Sequence, residues 1–162
     1  MNAYKKEKSN TAYVVAGSLP WNREVFEKRI SKYPGRWHFI SMPSQLNRKK
    51  IEKINPQYIF FLHWSWIIPS DIYENFNCVV FHMTDLPFGR GGTPLQNLLA
   101  RGIYTTKISA IRVVGALDAG PVYLKASFSL KEGSAGVLYK KASEIAARMI
   151  REIVRTHPEP HP

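Results

Sequence analysis

The sequence is poor in cysteine, and its shortages exclude several classes of protein. The single cysteine, Cys78, excludes an intramolecular disulfide framework and suits a reducing cytoplasm, where we expect the protein to act. No apolar run approaches the length that crosses a bilayer, and the charged segment 1–10 lacks the apolar core of a signal peptide. The five histidines and one cysteine do not have metal-ligand spacing, so we expect no metal and no membrane partner.

Acidic residues are also scarce. Asp and Glu number 12 against 23 Lys and Arg, which gives a formal net charge of +11. The basic residues cluster at 5–8, 28–36 and 48–53. Such an excess favours anionic partners by long-range attraction, although solvated helix faces are the alternative interpretation of each cluster.

Strand-like and helix-like segments alternate along the chain. This alternation predicts an α/β fold with a Rossmann-like, mainly parallel sheet in a single domain. We expect a polar N-terminal arm over 1–10, the domain over 11–155 and a flexible proline-rich tail over 156–162. The predicted strands are 11–17, 37–41, 57–64, 78–81, 107–114 and 121–129. Four helices are predicted: one that begins at Pro20, one over 43–53 with Ser44 as the cap, one over 94–100 and one over 135–155.

A histidine and an aspartate stand where two apolar runs end in turns. His82 follows an apolar strand and opens a Pro/Gly-rich loop, and Asp118 lies in the turn after the run 108–114. In open α/β sheets, ligands bind at the carboxyl ends of strands. A histidine paired with a carboxylate is a proton-transfer device at neutral pH, so we predict that His82 and Asp118 are catalytic.

The spacing around these two residues resembles a known superfamily. His-x-x-x-Leu-Pro-x-x-Arg-Gly-Gly-x-Pro-x-Gln, followed by Leu-Asp-x-Gly-Pro, is similar to the 10-formyltetrahydrofolate-dependent formyltransferases. These include methionyl-tRNA formyltransferase, glycinamide ribonucleotide transformylase and the N-formyltransferases of amino sugars. The resemblance is strong over 58–130 and implies a formyltransferase fold with 10-formyltetrahydrofolate as the formyl donor. The matching positions are His82, Leu86, Pro87, Arg90, Gly91, Pro94, Gln96, Leu117, Asp118 and Gly120.

The resemblance also implies roles for the pair. His82 would stabilise charge on the formyl oxygen and assist proton movement, while Asp118 would orient the imidazole, hold its charged form or relay a proton through water. One position departs from the family, because the asparagine usually found two residues before the histidine is Val80 here. The candidates to replace its amide are His63, Trp64 Nε1 and the backbone amides near 90–92.

Further site residues follow from the resemblance. The predicted folate-binding residues are Trp64, Ser65, Trp66, Ile67, Leu86, Gly115, Ala116 and Leu117. The predicted acceptor-binding residues are Arg90, Gly91, Gly92, Gln96, Trp21 and Asn22. Two indoles around a serine suit a flat heterocycle, although they also suit the end of a core. Arg90 either organises its loop or meets an anion, and Gln96 either contacts substrate or caps the next helix.

Three functions are compatible with these residues. The first is an N-formyltransferase for an amino sugar, nucleotide-linked, in glycan or polysaccharide biosynthesis. Methionyl-tRNA is the less expected acceptor, since that branch carries an added nucleic-acid-binding barrel for which 131–162 are too few residues. The second is an inactive binder of folate or a nucleotide sugar, which Val80 favours. The third is a formyltetrahydrofolate hydrolase. The apolar face of the helix over 135–155 serves the core or a homodimer.

Overall fold

Strands and helices alternate along the residues that the structure, a computed structural model, describes, namely 10–91, 94–131 and 133–162. The strands are β1 (Ala12–Gly17), β2 (Arg36–Ile40), β3 (Tyr58–Leu62), β4 (Cys78–His82), β5 (Thr105–Arg112) and β6 (Val122–Ser129). The helices are α1 (Pro20–Lys28), α2 (Arg48–Ile54), α3 (Ser70–Tyr73), α4 (Pro94–Ala100) and α5 (Ala135–Thr156), with 3-10 turns at Ile30–Lys32 and Pro43–Gln45.

The strands form one six-stranded sheet in the order β2-β1-β3-β4-β5-β6. β1 pairs in parallel with β2 and with β3, whereas β5 and β6 pair antiparallel. The prediction of an α/β fold with a mainly parallel sheet is therefore confirmed.

The chain divides into two compact units, between Val79 and Val80 in the sequence. In the first unit, β1 is the middle strand of three, and both β1 and β3 are buried along their whole length. Burial of both faces explains why β3 is a continuous apolar run rather than an alternating one. Tyr13 of β1 stacks on Trp37 of β2 with 4.5 Å between the ring centroids, which extends the apolar packing beyond the aliphatic core.

The helix predicted over 43–53 differs in the structure. Its first residues form the 3-10 turn, and α2 begins only at Arg48, after Asn47. The Asn47 side chain accepts a hydrogen bond from the backbone N of Lys50 at 3.0 Å, so Asn47 and not Ser44 is the cap. Asparagine is as good an N-cap as serine, and here it stands one turn nearer the apolar helix residue Ile51.

In the second unit, the β5–β6 pair packs with the 22-residue helix α5. The Ser134 side chain caps α5 by accepting from the backbone N of Val137. The buried residues of α5 recur at helical spacing, as the sequence predicted.

The tail predicted to be flexible is held to the sheet. Val122, the first residue of β6, donates to His161 O at 2.6 Å and accepts from His161 N at 2.8 Å. The first residue of an edge strand otherwise exposes its backbone N–H and C=O, and His161 satisfies both of them. The polar composition of 156–162 did not reveal this pairing.

Among the described residues, no helix combines the length and the hydropathy that a membrane span requires. The same residues contain no group of three or more His, Cys, Asp or Glu side chains arranged to hold a metal ion.

Candidate functional site

The loop that follows β4 is held to β5 and β6 by four polar contacts. Ser109 of β5 is fully buried, and its hydroxyl donates to Thr84 O at 2.7 Å and accepts from Leu86 N at 3.3 Å. The Lys125 ammonium of β6 donates to Leu86 O at 2.6 Å and pairs with Asp85. We call residues 83–91 the motif loop. These contacts anchor the chain immediately after His82, so the imidazole starts from a fixed backbone.

His82 is buried, with 8% of its surface exposed, and a backbone carbonyl determines which nitrogen carries its proton. Nε2 lies 2.7 Å from Gly89 O. Because a carbonyl oxygen only accepts, Nε2 must be the donor. The Thr84 hydroxyl also donates to Gly89 O, at 3.4 Å. The neutral ring therefore carries its proton on Nε2, and Nδ1 is the nitrogen that can gain or lose one.

Asp118 faces that second nitrogen. His82 Nδ1 is 3.6 Å from Asp118 Oδ2, and the two side chains are 9% and 12% exposed. The Gly91 backbone N donates to the same oxygen at 2.8 Å, which joins the motif loop to the turn that carries Asp118. The structure thus brings together the two residues predicted to be catalytic.

The turn at Asp118 requires the glycine of the Leu-Asp-x-Gly-Pro motif. Asp118 adopts the left-handed region at φ 51°, which a short polar side chain tolerates. A Cβ at Gly120 would lie 1.7 Å from Arg112 O, so only glycine fits between this backbone and the end of β5. The motif glycine is therefore a requirement of close backbone approach.

This arrangement suits reversible proton transfer. A proton on Nδ1 would make the imidazole a cation beside the Asp118 carboxylate, in a nearly buried setting where their attraction is stronger than in water. Loss of that proton returns the neutral ring, with Nε2 still bound to Gly89 O. The pair can therefore accept and release one proton without reorienting the ring.

Of the remaining aspartates, Asp85 pairs with Lys125 and Lys107, which lower the pKa of its carboxyl group. Asp71 is exposed in the first turn of α3. Burial raises the pKa of the Cys78 thiol to about 12, so Cys78 is not a nucleophile at neutral pH. Of the three aspartates, Asp118 is thus the one that faces a buried histidine, and a catalytic role for the pair stays a prediction.

In the first unit, a second histidine follows β3. Asn22 Oδ1 accepts from Leu19 N at 3.0 Å, which orients the amide so that Nδ2 points to His63 Nδ1, 3.1 Å away. Nδ1 therefore accepts, and the neutral ring carries its proton on Nε2. Burial lowers the pKa of His63 to about 4, so the ring is neutral at physiological pH.

Asn22 was predicted to contact the acceptor, and the structure corrects this. Its side chain is 0% exposed and holds Leu19 and His63, because a buried amide must satisfy its hydrogen bonds within the protein. Trp21 is half-buried, and its Nε1 is a buried atom without a hydrogen-bond partner among the described residues. A stacking role for Trp21 stays a prediction.

The predicted folate-binding residues fall into two groups. In the first unit, Trp66 is 40% and Ile67 93% exposed, and Ser65 N donates to the Ser18 hydroxyl at 2.9 Å. Trp64 is half-buried against Trp66, and within the described part of the chain its buried Nε1 has no hydrogen-bond partner.

In the second unit, Leu117 is 73% exposed, and Gly115 and Ala116 are exposed beside it. Leu86 differs from its prediction as a ligand residue, because its side chain is only 5% exposed and belongs to the core. Contact of the others with a folate stays a prediction.

The predicted acceptor-binding residues have different surroundings, and their contact with an acceptor stays a prediction. Arg90 is exposed, Gly91 holds Asp118 through its backbone N, and Gly92 lies outside the described residues. Gln96 accepts from the Tyr139 hydroxyl at 3.2 Å, which links α4 to α5 and replaces the predicted helix cap. Since Gly91 N is engaged by Asp118, it is not a spare donor to replace the amide lost at Val80.

Sequence reasoning missed Gly89 and Ser109. Gly89 acts through its carbonyl, which every residue has, so the residue type does not reveal that this carbonyl accepts from His82. A Cβ at Gly89 would lie 2.7 Å from the Thr84 Cγ2, and its φ of 70° also favours glycine. Ser109 is a serine inside an apolar strand, and that anomaly was a usable signal, because a buried hydroxyl needs partners.

Comparison with known proteins connects this geometry to a superfamily. No protein-family model matches the chain. It is 46% identical to a solved structure of methionyl-tRNA formyltransferase from Clostridium thermocellum, with a TM-score of 0.84 and coverage of 93% of this chain and 67% of that one. It is 29% identical over 138 residues to methionyl-tRNA formyltransferase of Rickettsia felis, covering 81% of this chain.

The chain spans 43% of the length of that Rickettsia relative, less than half. A more distant structure, the formyltransferase PseJ from Anoxybacillus kamchatkensis in complex with UDP-4,6-dideoxy-4-formamido-L-AltNAc and tetrahydrofolate, shares the fold at a TM-score of 0.67 and 17% identity. It is matched over 93% of this chain and 82% of that one. With the identity to the Clostridium protein and the His82–Asp118 geometry, the chain belongs to the formyltransferase superfamily.

Proposed function

We propose that this chain transfers a formyl group from 10-formyltetrahydrofolate to the amine of a small acceptor, an amino sugar. The observation that carries the proposal is the nearly buried His82–Asp118 pair, with 3.6 Å between Nδ1 and Oδ2, at the end of β4. Strand ends of this kind are where open α/β sheets bind ligands. We keep the cytoplasm as the proposed location, since Cys78 is a free, buried thiol.

The accessible apolar side chains fit a folate. Trp66 and Ile67, which are adjacent in the first unit, are large apolar residues exposed to solvent. Such exposure is typical of surfaces that a ligand covers, and a pterin is a flat heterocycle suited to an indole. When bound, the folate supplies the formyl group on a nitrogen that can leave.

In the proposed reaction, the side chains of this protein transfer the protons. The acceptor nitrogen forms a bond to the formyl carbon and loses a proton, while the bond from that carbon to the donor nitrogen breaks and the donor nitrogen gains a proton. His82 Nδ1 can take the first proton and return the second, because the Asp118 carboxylate stabilises the intervening cation. Gly89 O keeps the ring in place throughout, through Nε2.

A small acceptor is supported by a cleft in the second unit. The cleft has a volume of 430 Å³ and is lined by the motif loop and α4. Clefts of about 300–1,000 Å³ are typical of small-molecule sites. The complex of PseJ with a formylated sugar nucleotide illustrates such an acceptor on the same fold.

Methionyl-tRNA is the second candidate acceptor. The Clostridium and Rickettsia relatives carry that name. The net charge of +11 is also compatible with an RNA partner, since basic surfaces attract phosphate backbones. The amino sugar and methionyl-tRNA are acceptors for the same proposed formyl transfer, and they differ only in which amine receives the formyl group.

The test offers both acceptors to the purified chain with 10-formyltetrahydrofolate. One arm contains a panel of nucleotide-linked amino sugars and the other contains methionyl-tRNA, with products identified by mass spectrometry. We expect a formylated sugar and tetrahydrofolate, both lost in His82→Ala and both retained in His38→Ala, a change at an exposed position of β2.

The other outcomes would each contradict the proposal in a different way. Formylated methionyl-tRNA alone would assign the acceptor to RNA. Formate release without an amine would indicate a hydrolase. Folate binding without turnover on either acceptor would indicate an inactive binder, with Val80 as the physical reason.

A further inference from the structure

The cleft beside the motif loop has a charge that its lining does not neutralise. Its walls include two arginines, Arg90 at the end of the motif loop and Arg101 just after α4, and both are exposed. No acidic side chain lines the cleft, and among the described residues neither arginine takes part in an ion pair. Two guanidinium groups at one cleft favour a ligand with negative charge on planar or tetrahedral oxygens, such as phosphate.

An aromatic ring accompanies the two cations. Phe88 lines the same cleft and is 47% exposed, so part of its ring is open to a ligand. The Arg101 guanidinium carbon lies 5.9 Å from the Phe88 ring centroid. An exposed ring next to a cation is a platform for a nucleobase, whose face stacks on it while the attached phosphates meet the arginine.

One residue that lines the cleft, Gly89, is also hydrogen-bonded to His82. Gly89 lines the cleft, and its carbonyl accepts from His82 Nε2 at 2.7 Å. Thr84, another lining residue, donates to that carbonyl. A ligand seated in the cleft therefore lies one peptide group from the imidazole that the proposed reaction uses.

We propose that this cleft binds the nucleoside diphosphate of the acceptor, with the base on Phe88 and the phosphates at Arg90 and Arg101. The assignment rests on the proposed function, because it names the part of the sugar nucleotide that the second unit holds. Asn97, which also lines the cleft, adds an amide for a ribose hydroxyl or a base edge.

Calorimetric titration of the purified chain tests the assignment. UDP, dTDP, GDP and inorganic pyrophosphate are titrated separately into the wild type, Arg101→Glu, Phe88→Ala and a control, Arg151→Glu. Arg151 is an exposed arginine of α5 outside the cleft lining, so it matches the change in charge. Circular dichroism and thermal unfolding confirm that each variant is folded.

The two cleft variants should separate base from phosphate. Arg101→Glu should weaken the best nucleoside diphosphate and pyrophosphate by about tenfold or more, as expected for a lost charge-assisted contact. Phe88→Ala should weaken the nucleotide by a similar factor and leave pyrophosphate unchanged. Arg151→Glu should bind both ligands as the wild type does.

Several results would overturn the assignment. These are no nucleotide binding by the wild type, equal binding by Arg101→Glu and the wild type, or an Arg101-dependence shown only by a polyglutamylated tetrahydrofolate or by tRNA. Formyl transfer assayed in parallel keeps the two proposals distinct. Turnover with unchanged nucleotide binding in Arg101→Glu would contradict the cleft alone, whereas cleft-dependent binding without turnover would contradict the activity alone.

Discussion

A histidine stands at the carboxyl end of β3 and another at the end of β4, and the groups around them differ. His63 accepts from the amide of Asn22, and burial lowers its pKa to about 4. His82 donates to Gly89 O through Nε2 and turns Nδ1 toward the Asp118 carboxylate. The two rings therefore differ in the group that faces Nδ1, an amide for His63 and a carboxylate for His82, and only the carboxylate carries a charge that favours a protonated ring.

The largest effect on formyl transfer should come from giving His82, at the end of β4, an amide partner like the one that His63 has at the end of β3. Asp118→Asn places an amide opposite His82 Nδ1 and removes the charge that stabilises the imidazolium, while Gly91 N can still donate to an amide oxygen. We expect formyl transfer to fall by about 10³-fold, within the usual range for a general acid–base group. Steady-state kinetics with the sugar acceptor measures the loss.

Asp71→Asn is the matched control, because Asp71 is exposed on α3. It should retain wild-type activity. Near-normal turnover by Asp118→Asn, with its fold intact, would remove Asp118 from the mechanism.

The next effect concerns the backbone that carries Asp118. Gly120→Ala introduces a Cβ 1.7 Å from Arg112 O, so the turn and the end of β5 must separate. We expect the free energy of unfolding to fall by about 3 kcal/mol, as for other sites where an added group overpacks its surroundings, with a loss of activity. Gly136→Ala on α5 has 4.0 Å of clearance and should change the unfolding free energy by less than about 1 kcal/mol. Equal urea midpoints for the two variants would show that the turn adapts freely.

The buried, neutral His63 at the end of β3 should make the protein less stable in acid. The pKa of His63 is about 4 in the folded chain and about 6.5 when unfolded, so the unfolded chain takes up the proton first as the pH falls. The contribution of the neutral His63 ring to the free energy of unfolding is fully present above pH 6.5. It declines until about pH 4, by at most about 3 kcal/mol in total.

Urea unfolding at pH 7 and pH 5 measures this slope. His63→Gln should flatten it by about 2 kcal/mol over that interval, whereas His38→Gln at an exposed position of β2 should leave it unchanged. The same slope in His63→Gln and the wild type would contradict the buried, neutral His63.

The smallest effect should come from the opposite change, in which the amide beside His63 is replaced by a carboxylate. Asn22→Asp keeps an oxygen for Leu19 N and places a carboxylate near His63 Nδ1, as Asp118 does for His82. We expect the pKa of His63 to rise from about 4 by about 1 unit or more, because an opposite charge favours the protonated ring. A histidine NMR titration follows the change. Asn47→Asp, at the cap of α2, is the control, and an unmoved His63 titration in Asn22→Asp would show that burial outweighs the charge.

The parts of this molecule that could be predicted from the sequence are those expressed as residue types at fixed spacing. The motif spacing pointed to the pairing of His82 with Asp118, whose side chains lie 3.6 Å apart, and the apolar patterns pointed to β3 and α5. The Gly89 carbonyl could not be found in this way, since a backbone acceptor leaves no trace in residue identity. The burial of Asn22 and the pairing of His161 with Val122 depend on tertiary contacts, which local composition does not encode.

The hydrogen bond from His82 Nε2 to Gly89 O also gives the protein an internal spectroscopic reporter. A ring proton that is 2.7 Å from its acceptor, on a residue 8% exposed, should exchange slowly with solvent and resonate far downfield of the amide envelope. Its chemical shift would report each protonation at Nδ1 and each ligand that displaces the Gly89 peptide. The imidazole can thus be observed directly, in unlabelled protein, while substrates are added one at a time.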